Sequence, residues 1–293
     1  MSVSATGSIA ESGRSPRLKI WVENLRVLLR SPTFLAGAII LGFWVFCAFF
    51  GPAIAPYDPL ATDLLSVLQP PSADHWFGTD QLGRDVFSRV IVGSRDILTV
   101  APLATLLGTV AGTLLGLVTG YFRGIVDDVL GRIIDALLAL PVVIVGLVAL
   151  TALGASNATV VFVIAFGFAP IIARTVRSSV LSERELDYVA AAWLRREGAL
   201  YIMLAEILPN ILPPILVEFN VRLGYAIFAV ATLSFMGFGI QPPSPDWGLT
   251  ISANYGLVGG GYWWTVLFDA IAIASLVVAV NLIADAVQGL LDG

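Results

Sequence analysis

The chain has 293 residues, 57% of them hydrophobic and only 13% charged, and carries a net charge of −5. That composition, with a mean hydropathy of +0.89, leaves too little polar surface to cover a soluble globule and marks an integral membrane protein with no footing for nucleic acid. A single cysteine, Cys47, and a single histidine, His75, exclude an intrachain disulfide and a Cys/His zinc cluster. Cys47 lies in an apolar run, where it is expected to pack. The one lysine, Lys19, has no glycine pair before it. A Walker A phosphate loop is therefore absent, and any ATP-driven work falls to another subunit.

Residues 1–24 are rich in Ser and Gly at their start and are expected to form a disordered cytoplasmic tail. A membrane-crossing helix needs about 20 mostly apolar residues. Six segments qualify: Phe34–Ala55, Leu98–Tyr121, Ile133–Leu153, Thr159–Ala173, Phe219–Phe238 and Trp264–Ala284. The expected fold is all-α with six spans. The first is read as a retained span, since its apolar run starts late and no small-residue cleavage site follows. The fourth is short for a crossing unless Asn157 or Arg174 snorkels to an interface. Thirteen of the 16 Lys and Arg residues fall on one side of this arrangement, and only Arg84, Arg89 and Arg95 on the other. The positive-inside bias thus puts both termini and the 175–214 loop in the cytoplasm.

Between the first two spans, Gly78, Gly83 and Gly93 interrupt a stretch in which Asp80, Arg84, Asp85 and Arg89 are spaced for local pairing, which predicts a compact external elbow. Exposed pairs of this kind contribute roughly 0–1 kcal/mol each. In the second span Gly108, Gly112, Gly116 and Gly120 recur every four residues on one face, so a neighbouring helix can approach closely, either from this chain or from a second permease. Among ionisable groups at span ends, Asp135 and Asp269 are expected in structural pairs, and Glu218 and Arg222 have the spacing of a helical pair.

The loop Asp187–Pro214 reads DYVAAAWLRREGALYIMLAEILPNILPP. Ala190, Ala191 and Ala192 favour helix, while Val189, Trp193 and Leu194 form a candidate apolar ridge for a groove on a partner. The composition is also compatible with an interfacial helix lying on lipid headgroups. In the last external segment, Pro242, Pro243 and Pro245 stiffen the chain ahead of Trp247, and Trp247, Trp263 and Trp264 suit a headgroup belt. Pro242, Pro243, Asp246 and Trp247 are the candidates there for contact with a binding protein.

These segments resemble a known family. The loop is similar to the EAA loop of bacterial ABC importer permeases: Ala191, Ala192, Pro209 and Asn210 match at the family's spacing, whereas Ala190 stands where Glu is usual, Arg196 where Gly is usual and Glu206 where His is usual. Gly198 lies two residues too late to replace that glycine. HWFGTDQLGRDVFSRVIVGSR (His75–Arg95) and LSFMGFGIQPPSPDWGLTIS (Leu233–Ser252) resemble signatures of the C-type permeases for dipeptides and oligopeptides. The resemblance implies a six-span type I importer permease with its N-terminal span and elbow at 25–96, a permease core at 97–288 and a short tail at 289–293. It implies no catalytic residue and no cofactor in this chain, with ATP and Mg held by two ATP-binding subunits or domains. A second homologous permease and an extracytoplasmic substrate-binding protein complete the expected assembly. Val189 to Arg196, with Gly198, Pro209 and Asn210, would form the ATPase-coupling loop. The same machinery carries haem, nickel chelates or opines in related systems. A secondary transporter would need a self-sufficient pathway, and a membrane enzyme a cluster of His, Cys or paired carboxylates within the spans; neither is visible.

Overall fold

The structure, a computed structural model, describes residues 27–291; the expected tail at 1–24 lies outside them. Ten helices organise the described residues, beginning with α1 at Pro32–Ile54. Ser31 caps it by accepting from the Phe34 amide at 3.4 Å, and Pro32 supplies a preset φ in the first turn. Helix α2 is Val86–Phe122, capped by Asp85, whose Oδ2 accepts from the Ser88 amide at 2.8 Å. Its 37 residues run about 55 Å, well beyond the ~30 Å hydrocarbon core. The predicted start at Leu98 falls three turns late because Arg95 and Asp96 end the apolar run without ending the helix.

The expected straight span Ile133–Leu153 is corrected by the structure. It is broken into α3 (Ile125–Leu138) and α4 (Val142–Leu153), with an 88° bend between them. The cause is Pro141, which cannot continue a helical ladder and turns the residue before it away from the α region. Among the described residues five helices are long and apolar enough to cross a membrane, and six spans result if this bent pair forms one. Helix α5 covers Asn157–Glu183, ten residues past the predicted end at Ala173. Its added turns carry Arg174 and Arg177, which meet α3 at Asp135 (2.5 Å) and, with both carboxylate oxygens engaged, at Asp127 (2.6 Å). No snorkelling is needed to lengthen the fourth span.

Beyond α5 come α6 (Asp187–Leu194), α7 (Ala199–Asn210), α8 (Leu212–Phe235), α9 (Trp247–Asn254) and α10 (Trp264–Leu291). The expected Glu218–Arg222 pair forms at 3.0 Å in α8. Helices α2 and α5 make the most extensive pairing among the described residues. The glycine face is its reason. A Cβ on Gly112 would come within 2.7 Å of the Ala169 carbonyl, on Gly116 within 2.6 Å of Val176 Cβ, on Gly120 within 2.6 Å of Val180 Cβ, and on Gly108 within 3.1 Å of the Ala165 carbonyl. The partner of this face is α5 of the same chain, and a second permease does not occupy it.

Around the first halves of α2 and α5 lies an apolar core that includes Trp44, Cys47, Ile97, Val100 and Leu276. Cys47 packs there as expected. Replacing Gly116 by Val forces α2 and α5 apart and is expected to destabilise the chain by about 3 kcal/mol or to abolish folding; thermal unfolding in detergent measures the loss. Gly131, with nothing within 4 Å of its Cβ position, serves as the tolerant control.

Candidate coupling loop and external cap

The loop after α5 is a small packed body. Val189 and Ala192 on α6 are fully buried against Val176 and Val180 of α5 and against Ile202 and Ile207 of α7. This corrects the expected partner-facing ridge: Val189 points inward, because a short helix riding on the span ends must bury one face to hold its place. The opposite face is free. Ala190 and Ala191 are exposed, Trp193 is 42% exposed and Leu194 86% exposed, and Leu200 continues the apolar surface. Fully covering a side chain such as Leu194 contributes about 1.5–3 kcal/mol, and a partner must supply that cover.

The base of this body is braced where α2 ends. Arg184 donates to the Tyr121 carbonyl and lies over the rings of Tyr121 and Trp193, at 5.7 and 5.2 Å. The Trp193 indole N–H donates to the Tyr121 hydroxyl at 3.3 Å. Arg123 pairs with Glu185 at 2.5 Å across the same corner. Tyr188 donates to Glu183 at 2.8 Å, and its partial burial pushes its hydroxyl up to about 12, so it stays a neutral donor. None of this brace was visible in the sequence, because its members are up to 72 residues apart. An aromatic residue closing one span and an arginine closing another were its only trace.

The three departures from the family pattern have structural answers. Arg196 adopts φ +59°, the left-handed conformation in which an L side chain costs about 1–2 kcal/mol and glycine nothing. Gly198 stands at φ −70° and does not take over that role. Glu206 pairs with Arg195 at 2.9 Å, and its carbonyl accepts from the Asn210 side chain at 2.8 Å, which ties the two ends of the motif together. Pro209 and Asn210 are both exposed, following a stretch of wider π-type turns at Ile202–Ile207. Proline at 209 has no N–H for the ladder, which accords with the loosened turns before it. Ala190 stands open to the surface.

The far end of the molecule is closed by a cap built from the elbow, α9 and the start of α10. Asp80 is its hub: Oδ1 accepts from the Leu82 and Arg84 amides at 2.8 and 3.0 Å, and Oδ2 accepts from Arg84 Nε at 2.7 Å. Arg89 approaches the same carboxylate at 3.8 Å and donates to the Pro59 carbonyl (3.1 Å) and the Thr250 hydroxyl (3.0 Å). The pairing predicted from spacing is present, but Asp80 and Arg89 are buried. Removing one partner therefore leaves an uncompensated buried charge, at a cost of about 3–5 kcal/mol, far more than an exposed pair contributes. Asp85 holds His75 at 2.9 Å. Asp269 is buried without a hydrogen bond to either carboxylate oxygen, so its expected structural pair is not formed.

Two candidates for binding-protein contact are withdrawn by burial. Trp247 is fully buried; its indole N–H donates to the Val90 carbonyl at 2.8 Å and its ring meets Trp44 edge-on at 4.8 Å. Asp246 is buried beside it and caps α9 by accepting from the Leu249 amide at 2.8 Å. Trp264 also leaves the expected headgroup belt, since it is buried and donates to the Thr79 carbonyl at 3.1 Å. Large aromatic rings with one donor find a buried acceptor here more readily than an interface. Pro242, Pro243 and Trp263 remain exposed.

Comparison with known proteins places this geometry. Residues 112–293 match the pattern of the binding-protein-dependent transport system inner membrane component. The chain belongs to that family of bacterial inner-membrane permeases. Residues 19–71 match the N-terminal TM domain of oligopeptide transport permease C, so Asp80, Arg84 and Arg89 of the elbow lie between the two matched stretches. The permease is 34% identical to the dipeptide transport system permease protein DppC of Bacillus subtilis (strain 168), over 97% of this chain and 88% of the relative. It is 34% identical to the di/tripeptide transport system permease protein DppC of Pseudomonas aeruginosa (strain UCBPP-PA14), covering 88% and 87% of the two chains. It is 35% identical to the glutathione transport system permease protein GsiD of Escherichia coli O6:K15:H31 (strain 536 / UPEC), covering 93% and 90%. Membership in this family carries with it partners that supply ATP hydrolysis and substrate binding.

Two outcomes follow from these sites. Arg196→Gly removes the left-handed strain and is expected to raise permease stability by up to about 1 kcal/mol, seen as a higher Tm. At the cap, burial holds the Asp246 carboxyl up at about 6, above an ordinary value of about 3.9. The folded state keeps this proton where the unfolded chain has lost it. The stabilising contribution is complete below pH ~4 and is lost as pH rises through about 6. Asp246→Asn, which retains an oxygen for the Leu249 amide, should remove that part of the Tm-versus-pH profile; identical profiles for the two proteins would place the titration elsewhere.

Proposed function

We propose that this chain forms half of the translocation pathway of an ATP-driven importer for dipeptides or short oligopeptides, paired with a second homologous permease. The observation that carries the reading is α6: an exposed Ala190, Ala191, Trp193 and Leu194 surface held rigidly on the ends of α2 and α5 by the buried Val189 and Ala192. A small-residue helix with one protruding leucine, fixed at its back, is suited to sit in a groove on an ATPase and to move with it. Two ATP-binding subunits or domains hold ATP and Mg, and this chain holds neither. Both termini and α6 face the cytoplasm in this reading, following the arginine bias.

Closure of the ATPases on ATP pushes α6 and, through the Tyr121–Arg184–Trp193 brace, the ends of α2 and α5. Because the glycine contact makes those two helices one body, the push travels along them as a rigid-body rotation that opens the pathway outward. Exposed Pro242 and Pro243 offer the receiving surface for the extracytoplasmic binding protein. The relatives named above carry peptide names, which favours peptides over haem, nickel chelates or opines.

The test is Ala191→Asp. Since Ala192 is buried within the chain, Ala191 alone probes the partner-facing side. An uncompensated carboxylate in the interface costs about 2 kcal/mol or more, so ATP-driven peptide uptake in proteoliposomes should fall at least about tenfold. Membrane insertion and Tm stay unchanged. Wild-type uptake with the ATPases still bound would remove α6 from the coupling role.

A further inference from the structure

Three cations stand at the cap end of the chain, and two of them share one carboxylate: Arg84 and Arg89 both face Asp80. The third, Arg95, is exposed on α2 and its guanidinium has no ion-pair or hydrogen-bond partner among the described residues. The neighbouring Asp96 is taken up by the Ser244 hydroxyl, which donates to it. Arg95 lies nine residues into α2, about 14 Å along the axis. An ionised side chain within a span costs about 2.5–3.5 kcal/mol on insertion scales unless it is paired or reaches water.

Arg95 opens onto a groove of about 500 Å³ whose walls include Val45 and Phe49 of α1, Leu98 and Pro102 of α2, Ile227 of α8 and Val280 of α10. That volume lies within the ~300–1,000 Å³ of ordinary small-molecule sites. The groove has a direction. Helices α1 and α2 run antiparallel, so Phe49 and Arg95 mark the cap end while Leu41 and Pro102 lie deeper along the same line. The polar element is thus at one end and hydrocarbon lines the rest. The other polar side chain in the lining, Thr99, already donates its hydroxyl to the Arg95 carbonyl at 2.6 Å.

A peptide is a poor occupant, because beyond Arg95 and Thr99 its amide groups would meet walls that offer no donor or acceptor. An anionic amphiphile with a long apolar tail matches both the cation and the walls. We propose that this groove is a binding site for an anionic glycerophospholipid of the outer leaflet, with the phosphate on Arg95 and one acyl chain running between α1 and α8. The site goes beyond the transport role and would stand if the transported solute were not a peptide. The lipid supplies the counter-charge that the protein omits and fills the wedge between α1 and the body of the permease.

Native mass spectrometry of the full-length chain in detergent, titrated with phosphatidylglycerol or phosphatidylcholine, tests the site. Wild type should prefer phosphatidylglycerol. Arg95→Gln should weaken that lipid about tenfold, the scale of one charge-assisted contact, and erase the preference. Ala48→Trp, which fills the groove and leaves the guanidinium intact, should weaken both lipids. Unchanged phosphatidylglycerol affinity in either variant overturns the proposal. If Arg95→Gln keeps that affinity and instead raises KM for peptide uptake, Arg95 reads a substrate carboxylate and no lipid site exists.

Discussion

The close approach of α2 and α5 along the Gly108–Gly120 face is the constraint on which the rest of this permease depends. Without side chains at four successive turns, two long helices meet backbone to side chain along Gly108–Gly120 of α2 and Ala165–Val180 of α5. In a bilayer there is no hydrophobic driving force between helices, so van der Waals contact of this kind is what holds them. The pair then acts as a single strut. Two packed bodies are mounted on its ends: α6 and its brace at one, the Asp80–Arg89 cap at the other.

The two ends are built by different physics. At the coupling end the contacts are apolar packing under α6 with ion pairs on the outside, such as Arg195–Glu206 and Arg123–Glu185, whose exposed members contribute little stability but fix orientation. At the cap end the charges are inside. Asp80 and Arg89 are buried with the Trp247 and Trp264 indoles bonded to backbone carbonyls nearby. Such a cap is costly to break, because parting either charge from the other leaves it buried and uncompensated.

Part of this was legible in the residues. Hydropathy located the spans, the four-residue glycine period announced a packed face, and the Asp80–Arg84 and Glu218–Arg222 spacings announced their pairs. The errors came where a linear rule met a three-dimensional environment. Hydropathy started the second span too late and ended the fourth too early because it reads Arg95 or Arg174 as a boundary, whereas a helix continues wherever its backbone bonds continue. It joined α3 and α4 because it is blind to Pro141. Aromatic composition assigned Trp247 and Trp264 to the lipid interface, while the fold gave each a buried carbonyl acceptor.

The sequence by itself determined the class: an all-α membrane protein whose motifs and spacing point to a coupling loop. Apolar run length and residue type are enough for that, since the bilayer imposes a one-dimensional rule on every span. Only the tertiary structure decided which face of α6 is free, that α5 and no second permease covers the glycine face, and that Arg95 alone of the cap-end cations lacks a carboxylate. Those properties depend on which distant residues share a neighbourhood. Contacts such as Trp193 with Tyr121 or Arg89 with Thr250 leave no local pattern in the chain, because nothing at either position requires the other until the helices have packed.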